Sequence, residues 1–200
     1  MLAFFAASCL SVFAGRTALA ADPKFRQPLN TLYSPVYSAL YDHDTGPGAR
    51  NYSCGAGTVY DGHQGTDFRE PIGTPVYAAQ SGGLYYRYND CPTYGSLGST
   101  CGGGYGNHVR VDHEGNLTDG AGWVTIYAHL QKDTAVYPQS VLCGSQIGKS
   151  GTSGNSTGPH HHFEVRKYGY PHNDPFAGSC SQPASFWVNQ NGGTPTTSCS

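Results

Sequence analysis

Three stretches of this 200-residue chain alternate with a period of two, and no stretch of twelve carries a helix period. Such alternation turns one set of side chains toward a core and the other to the opposite face of a strand. Asn107 to Glu114 sets Val109 and Val111 against His108, Arg110 and Asp112. Trp123 to Leu130 sets Val124, Ile126, Ala128 and Leu130, expected inward, against Trp123, Thr125, Tyr127 and His129. His160 to Lys167 sets Phe163 and Val165 against His160, His162, Glu164 and Arg166. In 74–88, TPVYAAQSGGLYYRY predicts two more strands about a Gly82-Gly83 turn. The 28 glycines and 15 tyrosines suit short strands and Gly-rich turns better than a helical bundle. The expected fold is mainly β: an antiparallel sheet with one working face, long loops and little helix.

Only 12% of residues are charged and the formal net charge is −2, which disfavours a nucleic-acid binder. Residues 2–15, LAFFAASCLSVFAG, form an apolar run, and Ala18-Leu19-Ala20 follows as a small-x-small site. Residues 1–20 therefore read as a signal peptide cleaved before Ala21. The run is too short for a lasting membrane span. A rival reading makes Cys9 a lipid-attachment site. The expected destination is secreted or periplasmic, without stable membrane insertion. Residues 21–187 are expected to form one domain, with 21–60 as an extended wrap over it and 188–200 as a polar tail or linker; the chain is expected to be a monomer. Cleavage leaves six cysteines, at 54, 91, 101, 143, 180 and 199, an even number that suggests three disulfides outside the cytoplasm. Of 15 possible pairings, the expected set is Cys91–Cys101, Cys180–Cys199 and Cys54–Cys143.

Nine histidines concentrate the chemistry. His63-Gln-Gly-Thr-Asp67 places an imidazole and a carboxylate at equal parity on an extended segment. His160 and His162, about 6.6 Å apart along a strand, share a face, so one can bind a metal while the other stands beside it. Two His and one Asp make a zinc site with an open fourth position, the catalytic rather than the structural arrangement. The Gly/Ser-rich loop 151–159 delivers His160 to such a site, and Tyr127-Ala-His129-Leu supplies a further imidazole. Tyr60 is a weaker candidate for oxyanion assistance. Asn107 reads as a turn residue and Glu164 as a solvated strand residue or a partner to a ligating His. His43, His108, His113 and His172 read as surface or structural.

In order, HQGTD (63–67), GYGNHVRVDH (104–113), YAHL (127–130) and GKSGTSGNSTGPHHHFEV (148–165) resemble the LytM/lysostaphin-type zinc endopeptidases of peptidase family M23. The resemblance covers about 100 residues. It implies one Zn²⁺ per chain held by His63, Asp67 and His162, with His129 and His160 as the catalytic histidines, at the floor of a β-sheet groove. It implies hydrolysis of peptidoglycan cross-link peptides. Two other readings stand beside it: a non-catalytic wall-binding or amidase-activating module, and an endopeptidase for Gly-rich extracellular proteins. The chain departs from the family at His161, where an apolar residue is usual, and in the insertion around 91–101. By parity His161 points inward with Phe163 and Val165, as a semi-buried packing residue.

Overall fold

The computed structural model describes residues 22–30, 36–114, 122–167 and 172–199. The signal-peptide expectation at 1–20 and Cys9 lie outside the described residues. Among the described residues, ten strands form two sheets: β1 (Tyr37–Ala39), β2 (Thr66–Phe68), β3 (Pro75–Tyr77), β4 (Gly82–Tyr88), β5 (Asn107–Asp112), β6 (Trp123–Leu130), β7 (Gln139–Val141), β8 (Gln146–Lys149), β9 (His161–Lys167) and β10 (His172–Asn173). The large sheet runs β1-β2-β9-β6-β5-β4-β7, with β10 also pairing to β9; β3 and β8 form the small one. Every strand pairing is antiparallel. Helix is confined, among the described residues, to two short 3₁₀ turns. The fold is therefore mainly β and antiparallel, as the alternation requires.

The core lies on one face of the large sheet. Val109 and Val111 of β5, Tyr127 of β6 and Phe163 and Val165 of β9 meet Val76 of β3, Ile147 of β8, and Phe25, Leu29, Phe176 and Trp187 from the chain ends. Phe163 stacks on Trp187 at 5.6 Å between ring centroids. Complete burial of such a side chain contributes about 1.5–3 kcal/mol. Both ends of the described chain thus complete the core.

Three expectations are corrected. First, the core face of β6 is the reverse of that expected: Trp123 and Tyr127 join the core cluster, whereas Val124, Ile126 and Ala128 lie on the opposite face beside Arg166, Glu164 and His162 of β9. Both faces of β6 are buried, so alternation alone could not choose between them. Second, 74–88 holds two strands but no hairpin. β3 pairs with β8, β4 pairs with β5 and β7, and Gly82-Gly83 lies inside β4. Gly82 is there because a Cβ would lie 2.2 Å from the Asp112 carbonyl oxygen. Third, Cys91 pairs with Cys101 as expected, but the other bridges are Cys54–Cys180 and Cys143–Cys199. Cys180 N donates to Tyr52 O at 2.9 Å, which brings residue 180 beside the turn at Cys54. The tail instead runs beside the amino-terminal segment, with Gln27 N donating to Thr196 O at 2.9 Å, and ends at the Gly144 turn. Nearness in sequence favoured Cys180–Cys199; packing of the tail on the body decides otherwise.

Candidate metal centre

The pairing of β2 with β9 builds the site. Asp67 lies directly across from His162, and Thr66 and Phe68 lie across from Phe163 and His161. Parity then sorts the side chains: Phe68 and Phe163 enter the core, while Asp67 and His162 face the other way. His63 arrives from the turn before β2. Its Nδ1 donates to Leu40 O at 2.7 Å, which leaves Nε2 free.

Three donor atoms converge. His162 Nδ1 is 2.7 Å from Asp67 Oδ1, His63 Nε2 is 3.2 Å from the same oxygen, and His63 Nε2 is 3.3 Å from His162 Nδ1. Among the described residues, His63, Asp67 and His162 are the cluster able to hold a metal ion. All three are buried, and two imidazole nitrogens with one carboxylate oxygen form a donor set that suits zinc. The electrostatics favour positive charge here. Burial would raise the Asp67 carboxyl, but the hydrogen bonds and charges of His162 and His63 hold it well below the usual carboxylate range. Burial would lower His162, yet Asp67 and then Glu164 lift it to about 10.

Glu164 holds His162 from behind. His162 Nε2 donates to Glu164 Oε1 at 2.9 Å, which turns Nδ1 toward the cluster. Tyr105 Oη donates to the same oxygen at 2.8 Å, and Arg166 Nε donates to Oε2 at 2.8 Å. Glu164 is 1% exposed, so the solvated-strand reading is corrected and the partner reading stands. Burial opposes its charge, but His162, Arg166 and His172 hold it down at about 2. Tyr105 had no such role in the sequence analysis; its i, i+2 logic is absent, since it comes from the loop before β5.

His129 reaches this face by a break in parity. Between β5 and β6, Val109 pairs with Tyr127 but Asn107 pairs with Leu130, so β6 carries one extra residue. His129 absorbs it with φ +56°. Tyr127 stays in the core, Leu130 rejoins it, and His129 turns to the cleft. Its Nδ1 donates to Ser153 O at 2.6 Å. His160, half-buried, donates from Nδ1 to Gly158 O at 2.8 Å, and its Nε2 is 3.8 Å from Asp67 Oδ1. The His129 and His160 rings are 4.6 Å apart, and His129 is 5.7 Å from His162. Burial, with His160 and His162 adding to it, holds His129 well below its ordinary pKa. In both histidines Nδ1 donates to a backbone carbonyl, which leaves Nε2 as the ring nitrogen not engaged by the backbone.

The loop carrying Ser153 is fixed by close backbone contact. Ser153 Oγ donates to Leu130 O at 2.8 Å and accepts from Asn107 N at 2.9 Å. Gly106 (φ +66°) and Gly154 (φ +77°) face each other so tightly that a Cβ on Gly106 would lie 2.4 Å from Ser153 O. Asn107 is more than a turn residue: fully buried, it bonds Cys91 N, Cys91 O and Leu130 O, and so ties the Cys91–Cys101 loop to β6. His161, expected semi-buried, is 0% exposed and stacks on Tyr127 at 6.0 Å; burial pushes its pKa down to about 3.

The structure gathers His63, Asp67, His162, His129 and His160 in one place. It leaves His43, His108, His113 and His172 outside the donor cluster. Tyr60 is 54% exposed and lies over His63 at 4.5 Å, at the rim. A cleft of about 790 Å³ is lined by Asp67, His129 and His160 together with Tyr60, Leu97 and Arg69. A smaller hollow of about 270 Å³ opens toward Tyr105.

Residues 61–174 match the model of peptidase family M23. The chain belongs to peptidase family M23. Its M23 segment is 39% identical over 111 residues to the peptidoglycan DD-endopeptidase ShyA of Vibrio cholerae, which covers 56% of this chain and 22% of that protein. It is 36% identical over 111 residues to the DD-carboxypeptidase/endopeptidase Mpg of Neisseria meningitidis serogroup B, covering 56% of this chain and 21% of the relative. The chain thus spans about a fifth of the length of these curated relatives. Among solved structures, the catalytic domain of the antimicrobial peptidase lysostaphin from Staphylococcus simulans is 28% identical with a TM-score of 0.45, over 70% of this chain and 85% of that one.

Proposed function

We propose that this domain is a zinc endopeptidase that hydrolyses the peptide cross-links of bacterial peptidoglycan outside the cytoplasm. One observation carries the reading: three buried donor atoms 2.7–3.3 Å apart, with two further histidines beside them, at the floor of an open cleft. The relatives support the same reading: ShyA is a peptidoglycan DD-endopeptidase and Mpg a DD-carboxypeptidase/endopeptidase. His63 Nε2, Asp67 Oδ1 and His162 Nδ1 would hold one Zn²⁺. Bound there, zinc supplies a Lewis acid and lowers the pKa of its water to about 7.

This chain's own residues do the rest. Glu164 and Leu40 O fix the ring orientations of His162 and His63 through their outer nitrogens. Of His129 and His160, one takes the proton of the attacking water at Nε2. The other, once protonated at Nε2 as well, donates a hydrogen bond from there to the developing oxyanion or passes that proton to the leaving amine. The full set of five speaks against the wall-binding or amidase-activating alternative. The domain is assigned to 21–187, acting as a monomer. Three disulfides support an oxidising compartment, and among the described residues no helix is long and apolar enough to cross a membrane.

The test is mass spectrometry of fragments released from purified peptidoglycan sacculi, with zinc content measured in parallel. Cut cross-link peptides that vanish with a zinc chelator are expected. Release unaffected by chelator, or one bound zinc with no release, would overturn the assignment.

A further inference from the structure

Arg69 follows Asp67 by two residues along the extended backbone that continues β2, and both side chains line the large cleft. Arg69 N donates to Val36 O at 3.0 Å, which holds the strand line past Phe68. The guanidinium is exposed and takes part in none of the ion pairs among the described residues. The other formally charged residue lining this cleft, Asp67, is 5% exposed and turned to His63 and His162. The rest of the lining, Leu97, Thr58 and Thr157 among it, contains no further acid. Among the described residues, the cleft lining therefore presents one cation outside any ion pair, although the whole chain is net negative.

A planar guanidinium matches a carboxylate with two parallel hydrogen bonds. Two residues of extended strand span about 6.6 Å, and an extended substrate advances by the same step. We propose that Arg69 is a specificity-determining residue that receives a free carboxylate of the substrate peptide, about two residues from the scissile bond. This rests on the peptidase reading for the position of that bond, but not for the binding of the carboxylate.

The test uses the full zinc-loaded chain and cross-linked muropeptides in two forms, native and with carboxylates converted to carboxamides. Binding is read by fluorescence anisotropy in chains that also carry His129→Ala, so the peptide stays intact; cleavage is read with His129 in place. With Arg69 present, the native form is expected to bind roughly five- to tenfold more tightly than the amidated form. Arg69→Gln should erase that ratio, and Arg69→Lys should restore part of it. An equal Kd for the two forms, binding of neither, or an unchanged ratio in Arg69→Gln would overturn the proposal. A persisting binding preference without cleavage would uphold Arg69 and sink the peptidase reading alone.

Discussion

At the scale of single residues, the cluster separates holding from reacting. Asp67 bridges His63 and His162, so Asp67→Ala is expected to lose both metal and turnover. His129 lies outside the donor cluster, so His129→Ala should keep zinc and lose about 10²–10⁴ in kcat. Because His129 has φ +56°, alanine adds backbone strain; His129→Asn tolerates that conformation and should show the same loss in a chain of near-normal Tm. Zinc stoichiometry with kcat checks all three, and near-normal turnover in either His129 variant would refute the role. Glu70 carries a different signal. It is 2% exposed, and burial, only partly offset by Thr74, raises its pKa to about 7. The folded state thus holds this proton more tightly than the unfolded chain, whose value is near 4.5. That contribution to stability is complete below the unfolded value and is lost as pH rises through about 7. Glu70→Gln is therefore expected to have the higher Tm at pH 8 and no advantage at pH 4, in paired thermal melts. Four of the five site residues were legible from two short spacings, HxxxD and HxH, which strand geometry turns into shared faces; His129 was legible only as a further imidazole on the alternating stretch Trp123–Leu130. Glu164 and Tyr105 were less so, because a buried carboxylate looks in sequence like any charge on an alternating strand.

At the scale of elements, legibility followed strand length. Trp123–Leu130 and the long stretches of β5 and β9 stood out because six to eight residues give enough alternations to count. β1, β2, β3 and β7 have three residues each, too few for a period to show. The face of β6 was misjudged for two physical reasons: apolar residues occupy both sides, and the extra residue at His129 breaks parity just where the site needs it. The β2–β9 contact is equally demanding. A Cβ on Gly65 would lie 2.6 Å from Phe163 O and 2.7 Å from His162 Cε1. Gly65→Ala must push β9 or the His162 ring aside. The expected result is at least a tenfold loss of zinc affinity, of the order seen when a ligand's supporting contacts are disturbed. Chelator competition measures it; unchanged affinity would mean that the two strands yield more readily than their contacts suggest.

At the scale of the whole molecule, the sheet class followed from composition and alternation, but the way the ends are tied did not. Phe25 pairs with Trp187 by a parallel bridge, both are buried, and Cys143–Cys199 fastens the tail. These contacts join residues far apart in sequence, and no local pattern encodes them. The bridges also give the molecule a wiring diagram under load. Gripped at residues 22 and 199, force would pass from 22 to Cys54, jump to Cys180, and run on to the second grip, bypassing the 126-residue span that contains the metal centre. An oxidised chain should then stretch by only about fifty residues, roughly 170 Å at ~3.4 Å per residue, against roughly 600 Å once reduced. An optical trap reads this directly; full extension without reductant would show that the bypass is missing. With the bypass in place, tugging on the ends cannot draw His63, Asp67, His129, His160 and His162 out into a line.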